Sequence, residues 1–184
     1  MDYNNAGAQW NLIPDGTIVV VQMNIRPGNV GEGGLLKRSR KGEAEGLDVE
    51  FVVVEGEYAK RKFWSFMVLD GTTDGHKQAA DITNRRLRAM LESARGIKPT
   101  DVSEAAKAAR NAEYADFDGI RFMGKIGIEP ASGDYKAKNI LAEVITPDQK
   151  DWHAVEQQPK SAEAKKGSTD NAPTPIIKPK WASS

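Results

Sequence analysis

The spacing of apolar residues changes twice along this chain, and these changes limit its fold more than any other feature. Apolar side chains alternate between two faces in three segments, recur at helical spacing in a fourth, and alternate again in two more. The segments cover residues 17–25, 47–55, 61–69, 77–94, 117–128 and 135–146. The order strand, strand, strand, helix, strand, strand predicts an all-β fold with one main helix, a five-stranded Greek-key barrel of the OB type. An open sandwich or an α+β sheet fits the same periodicity.

The length of 184 residues fits one domain with appendages. We predict an OB-like domain over residues 1–153, beginning with an irregular lead-in over 1–16, because the apolar pattern fades after Pro147. Residues 154–184 are poor in large apolar side chains and rich in Pro, Lys, Ala, Ser and Glu, a composition that is typical of a disordered tail.

The chain contains no cysteine, which excludes disulfides and thiolate metal sites. Its two histidines, His76 and His153, stand far apart without the spacing of paired zinc ligands, so we expect neither a metal nor any other cofactor. No apolar segment is long enough to span a membrane, and the N-terminus lacks the pattern of a signal peptide. We therefore expect a cytoplasmic protein that makes no membrane contact.

Residues 60–66 join three cations directly to aromatic side chains. Side chains alternate faces along a strand, so Phe63 points to one face while Trp64 and Phe66 point to the other. We expect Trp64 and Phe66 to lie inside because they align with Val68, which leaves Phe63 on the exposed face. Exposed rings next to cations are typical of proteins that bind single-stranded nucleic acid, since rings stack on bases and cations meet phosphates. The alternative is that this segment belongs to a hairpin of the core, and that its basic first residues are only solvated.

The charges of the chain balance at 26 cations and 26 acids, which argues against a non-specific polycation. They are distributed unevenly, because residues 26–41 carry five cations and one acid. In an OB barrel this segment would be the loop that joins the first two strands. That loop and the loop that joins the last two strands flank the ligand-binding face. The candidate nucleic-acid contacts are Arg26, Lys37, Arg38, Arg40, Lys41, Arg61, Phe63, Arg121, Lys125 and Lys136.

Short motifs in a fixed order carry a family resemblance over residues 10–146. They read IPDG at 13–16, GLDVEF at 46–51, VEGEY at 54–58, RKFW at 61–64, LRAMLESARG at 87–96 and NI at 139–140. In order and spacing they resemble a family of small bacteriophage proteins filed as domain of unknown function 669. Members look like early-region proteins encoded among replication and recombination genes, so the resemblance implies a role with single-stranded DNA in a bacterial host cell. It assigns no catalytic residues.

These observations lead to three functional hypotheses. The first is a non-enzymatic phage protein that binds single-stranded DNA during replication or recombination, without sequence preference. The second is an accessory protein that recruits or loads a phage recombinase, helicase or polymerase through its tail, which carries Trp181 near its end. The third is a magnesium-dependent nuclease that would use Asp118 and Asp134 as metal ligands and Lys136 to steer charge. A homo-oligomer is compatible with each of them.

Overall fold

The computed structural model describes residues 11–159, which form one antiparallel sheet and one main helix. The strands are β1 (Thr17–Ile25), β2 (Lys37–Arg38), β3 (Ala44–Val53), β4 (Lys62–Gly71), β5 (Arg121–Glu129) and β6 (Lys138–Ile145). The α-helices are α1 (Asp74–Arg95) and α2 (Glu104–Ala109), and two 3-10 helices cover Glu32–Gly34 and Tyr114–Phe117. The first part of the predicted lead-in and most of the predicted tail, including Trp181, lie outside the described residues.

The strands follow the order β2-β3-β1-β5-β6, and β4 pairs with the other edge of β3. Every pairing is antiparallel. On one edge of β3, β2 pairs with the first residues and β1 with the last. No ladder joins β4 to β6 within residues 11–159, so the sheet is open at this β4/β6 seam. The predicted β fold with one main helix is confirmed, but the sheet has a short sixth strand, β2, and is not a closed five-stranded barrel.

The core lies on the inner face of the sheet. Alternate residues of β3 from Leu47 to Val53 are buried there, as the alternating pattern predicts. The ring of Phe51 stands 5.2 Å from that of Phe63 and 6.2 Å from that of Phe122, in an edge-on contact with the latter. Burying a large apolar side chain contributes about 1.5–3 kcal/mol. The three rings therefore join β3, β4 and β5 through one packed cluster.

Helix α1 covers this core between β4 and β5. Leu87 and Leu91 lie one turn apart and are buried, which gives the helix its apolar face. The hydroxyl of Thr73 accepts a hydrogen bond from a backbone N–H of the first turn, and Gly96 ends the helix in the left-handed conformation at a φ of 67°. The predicted helix over 77–94 is thus confirmed, with three further residues at its start. No helix in the described part of the chain is long and apolar enough to cross a membrane.

Glycine is required at one close contact between β3 and β4. A Cβ atom added to Gly46 would stand 2.2 Å from the carbonyl oxygen of Met67. The register of the β3–β4 pairing also shifts between Glu45 and Gly46. Such a bulge bends a strand and increases its twist. The pairing of β3 with β1 ends at Val49, opposite the last residue of β1, and the beginning of β3 pairs with β2 on the same edge.

Residues 146–157, called here the C-terminal strap, cross the outer face of β1 and β5. Trp152 and Val155 pack against apolar side chains on that face. The side-chain amide of Gln157 pairs with the backbone of Arg121, accepting at 3.0 Å and donating at 2.7 Å. The packed segment therefore extends past the predicted end of the domain.

Candidate nucleic-acid interface

The structure reverses the predicted faces of β4. Phe63 is 3 % exposed and lies on the inner face, whereas Trp64 is 49 % and Phe66 37 % exposed on the outer face. The reason is the pairing with β3, because Phe63 lies directly opposite Phe51, and opposed residues of an antiparallel pair share a face. Since Phe51 is in the core, Phe63 must be there too. The prediction that Phe63 is the exposed stacking ring is wrong, and so is the prediction that Trp64 and Phe66 lie inside.

Trp64 and Phe66 form the outer aromatic face together with their neighbours on β3. Trp64 lies opposite Glu50, and Phe66 lies opposite Asp48. Lys62 shares this face, and its Nζ pairs with Glu50 at 3.1 Å. Residues two apart on a strand are separated by about 6.8 Å. Each ring therefore has room to stack on a base of its own.

One row of side chains continues this face across the sheet. The row runs through Lys62 on β4, Val52 on β3, Gln22 on β1 and Arg121 on β5, which are successive partners in the strand register. Neighbouring strands lie about 4.8 Å apart, so the backbones at the two ends of the row are about 14 Å apart. Nε of Arg121 donates to the side-chain oxygen of Gln22 at 3.0 Å, which holds the guanidinium on the outer face. The structure thus places Arg121 on the same face as the aromatic rings.

Two more of the predicted cations meet at Asp48, and these three residues form what is called here the Asp48 cluster. The carboxylate of Asp48, 10 % exposed, accepts hydrogen bonds from Arg26 at 2.5 Å and from Lys37 at 2.7 Å. Burial raises the pKa of Asp48, but the hydrogen bonds from Lys37 and Arg26 outweigh it and leave the pKa below its ordinary value of 3.8. Two cations against one carboxylate leave the cluster positive. It also ties the connection between β1 and β3 to the sheet beside Phe66.

We expect the Asp48→Asn variant to lose about 1–2 kcal/mol of stability near pH 7, because asparagine cannot accept charge-assisted hydrogen bonds from both cations. The folded-state pKa of Asp48 is lowered, so this stability is present above the ordinary value of 3.8 and is lost as the pH falls through the folded-state pKa. Urea unfolding near pH 7 and near pH 3 measures the effect.

The difference in stability between wild type and Asp48→Asn should shrink near pH 3. Asp134→Asn is the matched control, because Asp134 is an exposed acid in a turn, and it should change stability by less than about 0.5 kcal/mol. An equal loss for Asp48→Asn at both pH values would show that the carboxylate charge is not the source of the stability.

The next three predicted cations lie on the β2–β3 hairpin. Nε of Arg38 pairs with Glu45 at 2.9 Å in an exposed ion pair. Arg40 and Lys41 are exposed in the turn between the two strands, and neither forms an ion pair with another residue of the described range 11–159. Their charges are thus free to meet an anion that approaches the hairpin.

Two predicted cations lie apart from the outer aromatic face. Lys125 pairs with Glu143 at 3.0 Å, and Met123, which packs against the strap, separates it from Arg121 along β5. Lys136 is exposed in the connection between β5 and β6. The structure therefore does not bring Lys125 together with the rings, although the alternation along β5 places it on the same side of the sheet as Arg121.

A cleft of about 670 Å³ opens at the β4/β6 seam beside Trp64. It is lined by Leu12, Lys60, Arg61, Lys62, Phe63, Trp64, Ala137, Lys138 and Asn139. The guanidinium of Arg61 donates a hydrogen bond to the backbone carbonyl of Asn11. The candidate contacts predicted from the sequence include Arg61 but not Lys60, Lys62 or Lys138. Residues 60–62 form one run of cations before the aromatic residues, and Lys138 follows Lys136, but no sequence pattern shows that Lys138 lies beside Lys62.

The carboxylates considered for a nuclease show no metal-binding arrangement. Oδ1 of Asp118 accepts a hydrogen bond from the backbone N–H of Ile25 at 2.8 Å, so it holds the end of β1. Asp134 is exposed in the connection between β5 and β6. Within residues 11–159, no three His, Asp or Glu side chains lie close enough to share a metal ion. The nuclease hypothesis thus gains no supporting site in this part of the chain.

Comparison with known proteins adds no functional assignment. A scan against protein-family models finds no match, and a search among curated proteins finds no relative of this chain. The resemblance to the bacteriophage family therefore stays a prediction from the sequence motifs. The function has to be inferred from the geometry of the outer aromatic face and its cations.

Proposed function

We propose that this protein binds single-stranded DNA on the outer aromatic face, without sequence preference. The observation that carries the proposal is the exposure of both Trp64 and Phe66 on one face of β4. Grouped, exposed apolar side chains mark interaction sites, and stacking a base on an aromatic ring contributes about 1–3 kcal/mol. Every base has a flat face, so this contact does not depend on sequence.

The cations around the rings would supply the phosphate contacts. Lys62 and Arg121 lie in one row next to Trp64, and the Asp48 cluster lies beside Phe66. A strand that crosses β4 over both rings therefore meets positive charge at each end. The ion pair between Lys62 and Glu50 is partly exposed and contributes little to stability. A phosphate can replace that carboxylate at small cost.

We also infer that the sheet is an OB-type barrel that is left open at the β4/β6 seam. In support, the long strands follow the order β4-β3-β1-β5-β6, and α1 lies between β4 and β5 along the chain, as in that fold. OB folds hold oligonucleotides on the face that corresponds to β3 and β4. The resemblance to the phage family extends this proposal to replication or recombination in the cytoplasm of the bacterial host.

Titration of a labelled dT oligomer of about 15 nucleotides tests the proposal, with fluorescence anisotropy as the readout. We expect binding at low salt and a slope of log K against log salt between about −2 and −3, because three or four phosphate contacts contribute about −0.7 each on a single strand. A duplex of the same length should bind more weakly, since its bases cannot reach the rings. Failure to bind the dT oligomer even at low salt would overturn the proposal.

The exposed rings are also compatible with a second candidate function. Trp64 and Phe66 are exposed on one face with the carboxylate of Glu50 opposite Trp64, and exposed rings of this kind also suit a protein partner. The protein would then be the accessory factor that recruits or loads a recombinase, helicase or polymerase. This candidate is favoured if the dT oligomer does not bind at low salt while immobilised protein retains such a partner.

A further inference from the structure

We propose that the cleft at the β4/β6 seam is a nucleotide pocket, which takes one base of the bound strand together with its phosphate. The inference rests on the proposed function and extends it. Trp64 belongs both to the outer aromatic face and to the lining of the cleft. A strand that stacks on Phe66 and then on Trp64 therefore brings its next nucleotide to the mouth of the cleft.

The floor of the cleft offers apolar surface to a base. Leu12, Phe63 and Ala137 contribute carbon atoms to the lining. The side-chain amide of Asn139 is already used, because its oxygen accepts from the backbone N–H of Ile13 at 2.9 Å and its nitrogen donates to the carbonyl of Ile13 at 2.8 Å. This amide holds the segment before β1 in place and is not free to read a base edge. The pocket would thus select for a flat apolar group and not for a particular base.

The same lining is rich in positive charge. The lining contains four cations and no acid, and the four are Lys60, Arg61, Lys62 and Lys138. Two of them form ion pairs with glutamates outside the lining: Nζ of Lys62 lies 3.1 Å from a carboxylate oxygen of Glu50, and Nζ of Lys138 lies 3.3 Å from one of Glu129. Lys60 forms no ion pair within the described chain, and Arg61 donates to an uncharged carbonyl. Two positive charges are therefore left uncompensated beside apolar surface.

The size and the charge of the cleft together define the class of ligand. Its volume of about 670 Å³ lies within the range of small-molecule sites, about 300–1,000 Å³. A ligand with one flat apolar part and one anionic part would cover the apolar side chains of the lining and neutralise its cations. A nucleotide has both parts, since its base is flat and its phosphate is anionic.

Thymidine 5′-monophosphate is the probe for a first experiment on the full chain. In ¹⁵N–¹H correlation spectra, millimolar thymidine 5′-monophosphate should shift the backbone amides of residues 60–64 and 137–139, and thymidine, which lacks the phosphate, should bind at least about tenfold more weakly. No shift at these residues, in protein that binds the dT oligomer, would overturn the pocket and leave the proposed function standing. Shifts at the cleft that depend on protein concentration alone would show that a second copy of the chain occupies it, and would also overturn the inference.

A second experiment fills the pocket. Ala137→Phe places a ring in the cleft without changing a cation or an exposed aromatic residue, and it should weaken binding of the dT oligomer at least about fivefold and abolish the nucleotide-dependent shifts. Ala142→Phe is the matched control, because Ala142 is exposed on β6 outside the lining, and the affinity of this variant for the dT oligomer should equal that of wild type.

A further variant, Lys138→Gln, removes one charge and keeps the shape of the cleft. It should also weaken binding of thymidine 5′-monophosphate. If both Ala137→Phe and Lys138→Gln bind with the affinity of wild type, the pocket is refuted. If the wild-type protein does not bind the dT oligomer at all, the proposed function is refuted.

Discussion

Replacing Trp64 and Phe66 together by alanine is expected to weaken binding of the dT oligomer at least about 30-fold. Each ring that stacks on a base contributes about 1–3 kcal/mol, so the two substitutions together remove about 2 kcal/mol or more, and each 1.4 kcal/mol corresponds to about a tenfold change in affinity. Both side chains lie on the outer surface, so their removal leaves no cavity in the core. The loss should therefore appear in binding and not in stability.

Fluorescence anisotropy at low salt measures this loss, and far-UV circular dichroism checks that the variant is folded. Ile82→Ala is the matched control, because Ile82 is 51 % exposed on α1, close to the 49 % of Trp64, and lies on a different element. Its affinity should stay within about twofold of wild type. A double variant that is folded and binds like wild type would show that the rings are not the binding surface, and the cations alone would then have to explain any affinity.

The strands and the main helix could be predicted because the apolar residues of each recur at one dominant spacing. Alternation along β3 places Leu47 and Phe51 on one face, and helical spacing places Leu87 and Leu91 on one face of α1, so both elements follow from the sequence. Closure of the sheet could not be predicted this way. Whether β4 meets β6 depends on curvature and on devices such as the bulge at Gly46, which no periodicity reports.

The faces of β4 were predicted wrongly because both of them are apolar. Phe63 and Met67 alternate with Trp64 and Phe66, so the pattern by itself does not tell which pair is inside. The register decides, and a slip of one residue moves every side chain to the other face. That register is set by the connection over residues 54–61, whose geometry the sequence does not reveal.

The positions of the cations around the candidate face could be predicted only in part, because their partners come from distant segments. Arg26 and Lys37 do lie beside the candidate face, but the alternation along β3 gave no indication that Asp48 would be buried between them. Lys138 joins Lys62 at the cleft only because the starts of β4 and β6 meet in the folded chain. Such proximity is a property of the tertiary structure, so a sequence pattern can propose these residues singly but cannot group them.

Phe63→Ala is expected to lower the free energy of unfolding by about 3–5 kcal/mol, whereas Trp64→Ala should change it by less than about 1 kcal/mol. Removing a buried phenylalanine loses its transfer free energy and leaves a cavity that the surrounding core fills only partly. The ring of Phe63 packs at 5.2 Å against that of Phe51, which in turn contacts Phe122, so the cavity would open inside the cluster that joins three strands. Trp64 lies on the outer face, and exposed substitutions usually cost little.

Urea unfolding followed by far-UV circular dichroism measures both changes without relying on tryptophan fluorescence, which the Trp64→Ala variant would alter. Phe63→Leu separates the cavity from the loss of the ring, because leucine keeps most of the apolar volume and should cost less than about 2 kcal/mol. The two neighbouring residues should thus give opposite results in the unfolding assay, because Phe63 is buried in the core and Trp64 is exposed on the outer face. If Trp64→Ala proved the more destabilising of the two, the faces of β4 would be those that the sequence predicts, and Trp64 and Phe66 could not form a binding surface.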